Sequence, residues 1–231
     1  MAVEPAFVLH RWPYQDSSFI VELLTREQGR YRVVAKGARR SKSPWRAILQ
    51  PFTPLLVQSR GRHDLQTLTQ AELNGRAVAL NGRSLYSGFY LNELVQRLTS
   101  PYQPLEPVFD DYQQALVQLA SSAHVEPVLR QFEWQMLCHL GHGFDWDYDD
   151  QGESIQGEFW YRFVPEHGFC RVPQATTDCF SGSSLLQLGA FELSDPSLLN
   201  SMKRIMRMAL APYLGDQPLR SRQLFAQQKG N

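Results

Sequence analysis

The sequence predicts an α+β protein, with a small five-stranded barrel in residues 1–80 and a mainly helical domain over 81–231. Up to about residue 75, apolar residues fall in short β-rich runs separated by Gly, Pro and polar turns, the spacing of a small barrel. From Leu85 onward the apolar period becomes helical. A composition of 43% hydrophobic and 12% aromatic residues is enough to bury a core in each part.

The elements follow in order. Ala6–Trp12 is an apolar run closed by Pro13, and Ser18–Thr25 (SFIVELLT) stops before the turn Glu27-Gln28-Gly29. Tyr31–Ala35 alternates as a third strand. Leu49–Ser59 (LQPFTPLLVQS) carries Pro51 and Pro54, which predicts an edge or bulged strand. Asp64–Leu73 is the fifth strand. Leu85, Phe89, Asn92, Val95 and Leu98 then repeat at 3.6, with Leu91 and Leu94 widening the face. Pro101, Pro104 and Pro107 mark a connector. Val108, Tyr112, Leu116, Leu119 and Ala123 make a second helix. Leu129, Phe132, Met136 and Leu140 make a third, stopped by Gly141 and Gly143. Residues 144–180 read as an irregular or hairpin-like insert. A short helix covers Leu185–Leu188. A long one covers Leu198–Leu214, with Met202, Ile205, Met206, Ala209 and Tyr213 facing the core and Lys203, Arg204 and Arg207 on the other face.

Net charge is zero, but it is unevenly distributed. Residues 1–80 hold twelve Lys/Arg against six Asp/Glu, residues 81–198 five against sixteen, and residues 199–231 six against one. Basic–acidic–basic blocks predict localised anion-binding surfaces. The densest is Gly29–Arg46, GRYRVVAKGARRSKSPWR, with seven basic residues (Arg30, Arg32, Lys36, Arg39, Arg40, Lys42, Arg46) and no acidic one. With Tyr31 and Trp45 among them, the segment suits a phosphate backbone with bases to stack. A second basic set is Lys203, Arg204, Arg207, Arg220 and Arg222.

Several classes are excluded or disfavoured. No run of eighteen apolar residues predicts a membrane span. MAVEPAFVLH lacks the charged and apolar regions of a secretory signal. Cys138, Cys170 and Cys179 are too few and too odd in number for a disulfide framework, so a reducing cytoplasm is expected. G-x-x-x-x-G-K-[ST], G-x-S-x-G and H-E-x-x-H are all missing, which argues against an enzyme and against ATP hydrolysis by a P-loop. Asp147, Asp149, Gly152 and Glu158 match calcium-loop positions, but Gln151 replaces the Asp or Asn expected between them and FWYRFV reads as strand, so chance is favoured. Cys138, His142, Cys170 and Cys179 lack the paired spacing of a zinc site. A metal-dependent nuclease built on the Asp145–Glu153 carboxylates is the least favoured class, and a non-catalytic barrel adaptor for RNA or protein is the rival.

The segments AFVLHRWPYQDSSFIVELLTREQGRYRVVAKGARR, LQPFTPLLV, LYSGFYLNELVQRL and KRIMRMALAPYLGDQPLRSRQLF, in that order over Ala6–Phe225, resemble the bacterial recombination mediator RecO family, its gammaproteobacterial branch in particular. The resemblance implies an N-terminal OB-fold and a helical C-terminal domain. It implies a role in the RecF pathway of DNA repair and recombination: binding of single- and double-stranded DNA, ATP-independent annealing of complementary strands, and loading of recombinase onto coated single strands. The implied partners are DNA, RecR and the acidic C-terminal tail of single-stranded DNA-binding protein, at the nucleoid in the cytoplasm, with no cofactor. Many members carry a four-cysteine zinc module after the third helix. Here GFDWDYDDQGESIQGEFWYRFVPEHGFCRVP retains at most Cys170, so no zinc is expected, and the degenerate module is expected as a hairpin held by Trp146, Phe159, Tyr161 and Phe163. An acidic, apolar-tipped tail wants a basic group beside an apolar groove. Arg130, next to Leu129 and Phe132, is one candidate, and the C-terminal basic helix is the other. An internal ion pair of Arg130 with Glu126 or Glu133 stands beside that reading.

Overall fold

The computed structural model describes residues 3–61, 65–221 and 223. Its first part is a closed five-stranded barrel with strand order β1-β2-β3-β5-β4. The strands are β1 (Glu4–Tyr14), β2 (Ser18–Thr25), β3 (Gly29–Ala35), β4 (Leu55–Arg60) and β5 (Leu65–Leu73). β1–β2, β2–β3, β4–β5 and β1–β4 pair antiparallel and β3–β5 pairs parallel, Val33 opposite Gln66, which closes the barrel. Alternation puts Ala6, Val8, Val21, Leu23, Tyr31, Val33, Leu55, Val57 and Leu68 inside. Fully burying such an aliphatic side chain contributes about 1.5–3 kcal/mol.

Strand β4 begins only at Leu55, six residues later than the apolar run predicts. Residues 45–48 instead form the single turn α1 (Trp45–Ile48). Leu49 drops into the barrel core, Pro51 makes an isolated bridge to Val8, and Phe52 takes a positive φ of 64°. The two prolines have no amide to give a ladder, which is why the strand starts after both. The expected fifth strand matches from Leu65 onward, while its first residue, Asp64, lies outside the described residues.

Compactness divides the chain into two units, 1–123 with 218–231, and 124–217. The change from strand to helix near residue 80 is therefore not where the units part. In the first unit, α2 (Gly82–Leu98) and α3 (Glu106–Ser121) accompany the barrel. The Ser84 hydroxyl accepts the Asn81 amide at 3.1 Å, capping α2. The buried face of α2 is rotated from the predicted one: Leu91, Leu94 and Val95 are inside with Ser87, Gly88, Tyr90 and Asn92, while Leu85, Phe89 and Leu98 are half-buried. Asn92, on the predicted face, is held inside by two bonds. Its amide donates to the Leu9 carbonyl at 2.8 Å and its oxygen accepts the Tyr112 hydroxyl at 2.6 Å, so a polar residue is satisfied in the core. Gly29 is fixed by a close approach, since at φ 72° a Cβ there would lie 2.0 Å from the Gln103 carbonyl oxygen.

The second unit contains α4 (Val125–His139), a three-stranded sheet ordered β7-β6-β8 with β6 (Trp160–Val164), β7 (Gly168–Val172) and β8 (Cys179–Ser181), then α5 (Gly182–Gly189) and α6 (Pro196–Leu214). The stretch predicted as irregular or a hairpin is thus a hairpin, β6–β7, extended by a third strand. Its aromatic support differs in part from expectation. Phe144 sits 4.7–5.4 Å from Phe163, Trp134, Trp146 and Phe169. Tyr161 is buried nearby in the sheet, whereas Phe159 lies outside the cluster under the Arg171 guanidinium, 3.3 Å from its ring centre. Met202, Ile205, Met206 and Ala209 of α6 are buried as their spacing predicts, and α6 packs on α4. Tyr213 is only half-buried and stacks on His142 at 3.8 Å. No helix among the described residues is long and apolar enough to cross a membrane.

Candidate nucleic-acid interface

The chain leaving β3 at Ala35 turns across one end of the barrel and is tied there by its own backbone. The Arg39 amide donates to the Ser17 carbonyl at 2.8 Å, Arg40 to Gly37 at 3.1 Å and Ser43 to Arg40 at 3.0 Å. Ala38 and Leu49 are fully buried, and Trp45 and Ile48 pack half-buried against the barrel core. These anchors hold the basic side chains outward: Lys36, Arg39, Arg40, Lys42 and Arg46 are all exposed. None of the five pairs with a carboxylate among the described residues. The one side-chain bond they make is from Arg39 Nη1 to the Gln15 carbonyl at 2.9 Å. Five exposed cations without counterions on an anchored loop make a cationic ridge that attracts polyanions.

Four residues of the predicted patch are not part of that ridge. Arg30 is buried, its Nη1 2.5 Å from Glu22 Oε1, with Nε on Thr99 Oγ1 at 3.2 Å and Nη2 on the Thr99 carbonyl at 2.6 Å. Tyr31 is 1% exposed inside the barrel, stacked on Tyr102, its hydroxyl 3.1 Å from Ser59 Oγ. Burial pushes the Tyr31 phenol up to about 12. Alternation in β3 sends Tyr31 into the barrel, whereas Arg30 points the other way and is covered on the outside by Glu22 and by Thr99 at the end of α2. Neither reaches a ligand from these positions. Arg32 lies on the outer face, but it is paired, with Nε 3.3 Å from Glu22 Oε1 and its guanidinium 5.2 Å from the Trp12 ring centre. Trp45 serves the barrel core with much of its ring.

Sequence reading missed Arg11 and Phe19. Their side chains meet where β1 and β2 pair, Pro13 opposite Phe19. The Arg11 guanidinium lies 4.8 Å over the Phe19 ring, and Nη1 donates to the Leu49 carbonyl at 3.1 Å. Burial, and then the nearby Arg46, lower the Arg11 proton affinity. The signal was the short link between two strands, which brings the last third of β1 to the loop after β3.

The second predicted patch is dispersed. Arg130 is buried, with Nη2 2.7 Å from Glu133 Oε1, so the internal ion pair is what the structure contains and the guanidinium does not face solvent. Lys203 lies 3.9 Å from Glu126. Arg204 donates to the Thr177 carbonyl at 3.0 Å and covers the Phe180 ring at 4.8 Å, while Arg207 is exposed. Arg220 is in the first unit, its exposed side chain beyond a backbone amide bound to Glu93 at 2.9 Å. Arg222 lies outside the described residues.

The acidic loop has a structural use for its carboxylates. Asp145 Oδ1 accepts the Asp147 amide at 2.8 Å, and Asp149 Oδ1 accepts Gln151 and Glu153 amides at 3.0 and 2.9 Å. Among the described residues, no group of three or more His, Cys, Asp and Glu side chains is arranged to hold a metal ion.

Residues 1–76 match the family described as Recombination protein O N terminal, and residues 80–223 match Recombination protein O C terminal. The chain is 50% identical to the DNA repair protein RecO of Idiomarina loihiensis over 95% of this chain and 96% of that one. It is 45% identical to the protein of that name from Actinobacillus succinogenes, covering 98% and 97% respectively. For that of Haemophilus influenzae the identity is 43%, with 97% and 96% covered.

Proposed function

Because the chain belongs to the recombination protein O family, we propose that it acts in DNA repair and recombination by binding DNA through the loop after β3. On this reading it anneals complementary strands and helps to load recombinase onto single strands coated by single-stranded DNA-binding protein. The observation that carries the proposal is the set of exposed cations Lys36, Arg39, Arg40, Lys42 and Arg46, unpaired with any carboxylate among the described residues and held outward by buried neighbours.

The physical route needs no covalent step. Two DNA strands repel, and a cationic ridge that displaces their counterions lowers that repulsion, so pairing proceeds on the protein surface without ATP. The sequence has no P-loop to supply such a step in any case. The implied protein partners are RecR and the acidic tail of the coat protein. For the tail, the α6 face with exposed Arg204 and Arg207 beside the half-buried, Glu126-paired Lys203 supports a docking role better than the buried Arg130 does. The expected place of action is the nucleoid.

The test is the triple variant Arg39→Ala, Arg40→Ala, Lys42→Ala. Binding to all DNA sequences should weaken alike. The slope of log affinity against log salt should flatten by about 0.7–0.9 for each lost phosphate contact. An unchanged slope would defeat the proposal.

A further inference from the structure

Arg11 is the residue at this barrel end whose geometry exceeds what a diffuse cationic surface needs. Its guanidinium carbon lies 4.8 Å from the centre of the Phe19 ring, and one bond to the Leu49 carbonyl holds it there. The rest of its donor edge has no protein acceptor among the described residues, and Arg11 is only half-buried. Arg46, on α1 beside the Leu49 turn, is exposed and likewise without a carboxylate. A guanidinium plane backed by an aromatic ring is a stacking surface for a base, and unmet donors beside it suit a phosphate.

We infer that this corner of the barrel is a subsite for one unstacked nucleotide of single-stranded DNA. The base lies on the outer face of the Arg11 guanidinium, backed by Phe19, and Arg46 takes an adjoining phosphate. Bases inside a duplex are stacked on one another and cannot enter, so the corner favours single strands while the Lys36–Lys42 ridge is indifferent to strandedness. This rests on the DNA-binding reading above, and names what one part of that surface takes.

The experiment compares the full chain and its variants on a fluorescent oligo-dT of about ten nucleotides, within the span of one OB fold, and on a duplex of the same length, by anisotropy across a salt series. Arg11→Lys keeps the charge and removes the plane. It should weaken single-strand binding about tenfold, leave the salt slope unchanged and leave duplex binding unchanged. Phe19→Leu should do the same more mildly. Arg46→Gln should flatten the single-strand slope by about 0.7. If Arg11→Lys changes single-strand and duplex affinity equally, or changes neither, the subsite does not exist. A wild-type chain that binds neither probe defeats the DNA-binding reading itself. A wild type that binds both, and loses both in the triple variant, sustains that reading whatever Arg11 does. Arg46→Gln, at an exposed position, decides the matter should either Arg11 or Phe19 variant fail to fold: its slope should flatten on the single strand and not on the duplex, and equal flattening on both would overturn the subsite.

Discussion

Replacing Arg30 with Ala separates the arginines that build the barrel from those that face a ligand. The Arg30 side chain is 10% exposed and its partner Glu22 is 2% exposed. Truncation removes the 2.5 Å ion pair and two bonds to Thr99, and leaves Glu22 in a low-dielectric site. Breaking a buried pair from one side costs about 3–5 kcal/mol. Arg32 at 3.3 Å and Gln96 at 2.7 Å still face Glu22, which sets the expected loss at the lower end, about 3 kcal/mol. For a chain of this size that is a fall in melting temperature of roughly 6–12 °C. Thermal denaturation followed by circular dichroism measures it, and the salt slope of DNA binding, taken well below the transition, should equal that of wild type. A variant that melts with wild type while its slope drops by about 1 would show that Arg30 contacts phosphate and that the burial argument is wrong.

Three further outcomes are expected. Gly29→Ala would force a Cβ into the Gln103 carbonyl, and should lower the melting temperature by several degrees or prevent folding; wild-type stability would refute the close approach. Glu93 accepts the Arg220 and Ser221 amides, the Ser221 hydroxyl and Arg97; although burial opposes it, these bonds hold its carboxyl below the usual value. A depressed folded value means its stabilisation is present above the unfolded value near 4.3 and is lost as pH falls through the folded one, so melting curves of Glu93→Gln should lack part of the wild-type acid dependence, and identical profiles would exclude the clamp. Arg130→Ala should lower stability by about 3 kcal/mol, while Arg130→Met with Glu133→Leu should recover most of it; loss of binding to an acidic tail peptide at unchanged melting temperature would instead restore Arg130 as a contact residue.

The strands were legible because their faces differ: β2 and β3 run over nearly the residues that alternation marks, and the prolines correctly warned that the run 49–59 would not be an ordinary strand. The single turn α1 was not legible, since four residues carry no period. The buried face of α2 was legible at Leu91, Asn92, Leu94 and Val95 but not at Ser87, Gly88 and Tyr90, and the facing Leu9 carbonyl and Tyr112 hydroxyl show how Asn92 is satisfied inside. The basic segment was visible as composition, but its division into ridge and interior was not. Arg30 is neutralised by Glu22 across the β2–β3 ladder and hydrogen-bonded to Thr99 at the end of α2, pairings that a count of charges cannot contain.

The bonds from Glu93 to the backbone of Arg220 and Ser221 also carry a consequence for how the chain is made. The unit that begins at the N-terminus includes residues from 218 onward. Synthesis runs from the first residue to the last, so the barrel and its two helices emerge long before the strand of chain that finishes them, and everything from 124 to 217 must be translated in between. Until then the Glu93 carboxylate waits without its amide donors. The last event in building the N-terminal unit therefore follows translation of all of 124–217, and a chain truncated at Leu214 would damage the beginning of the protein.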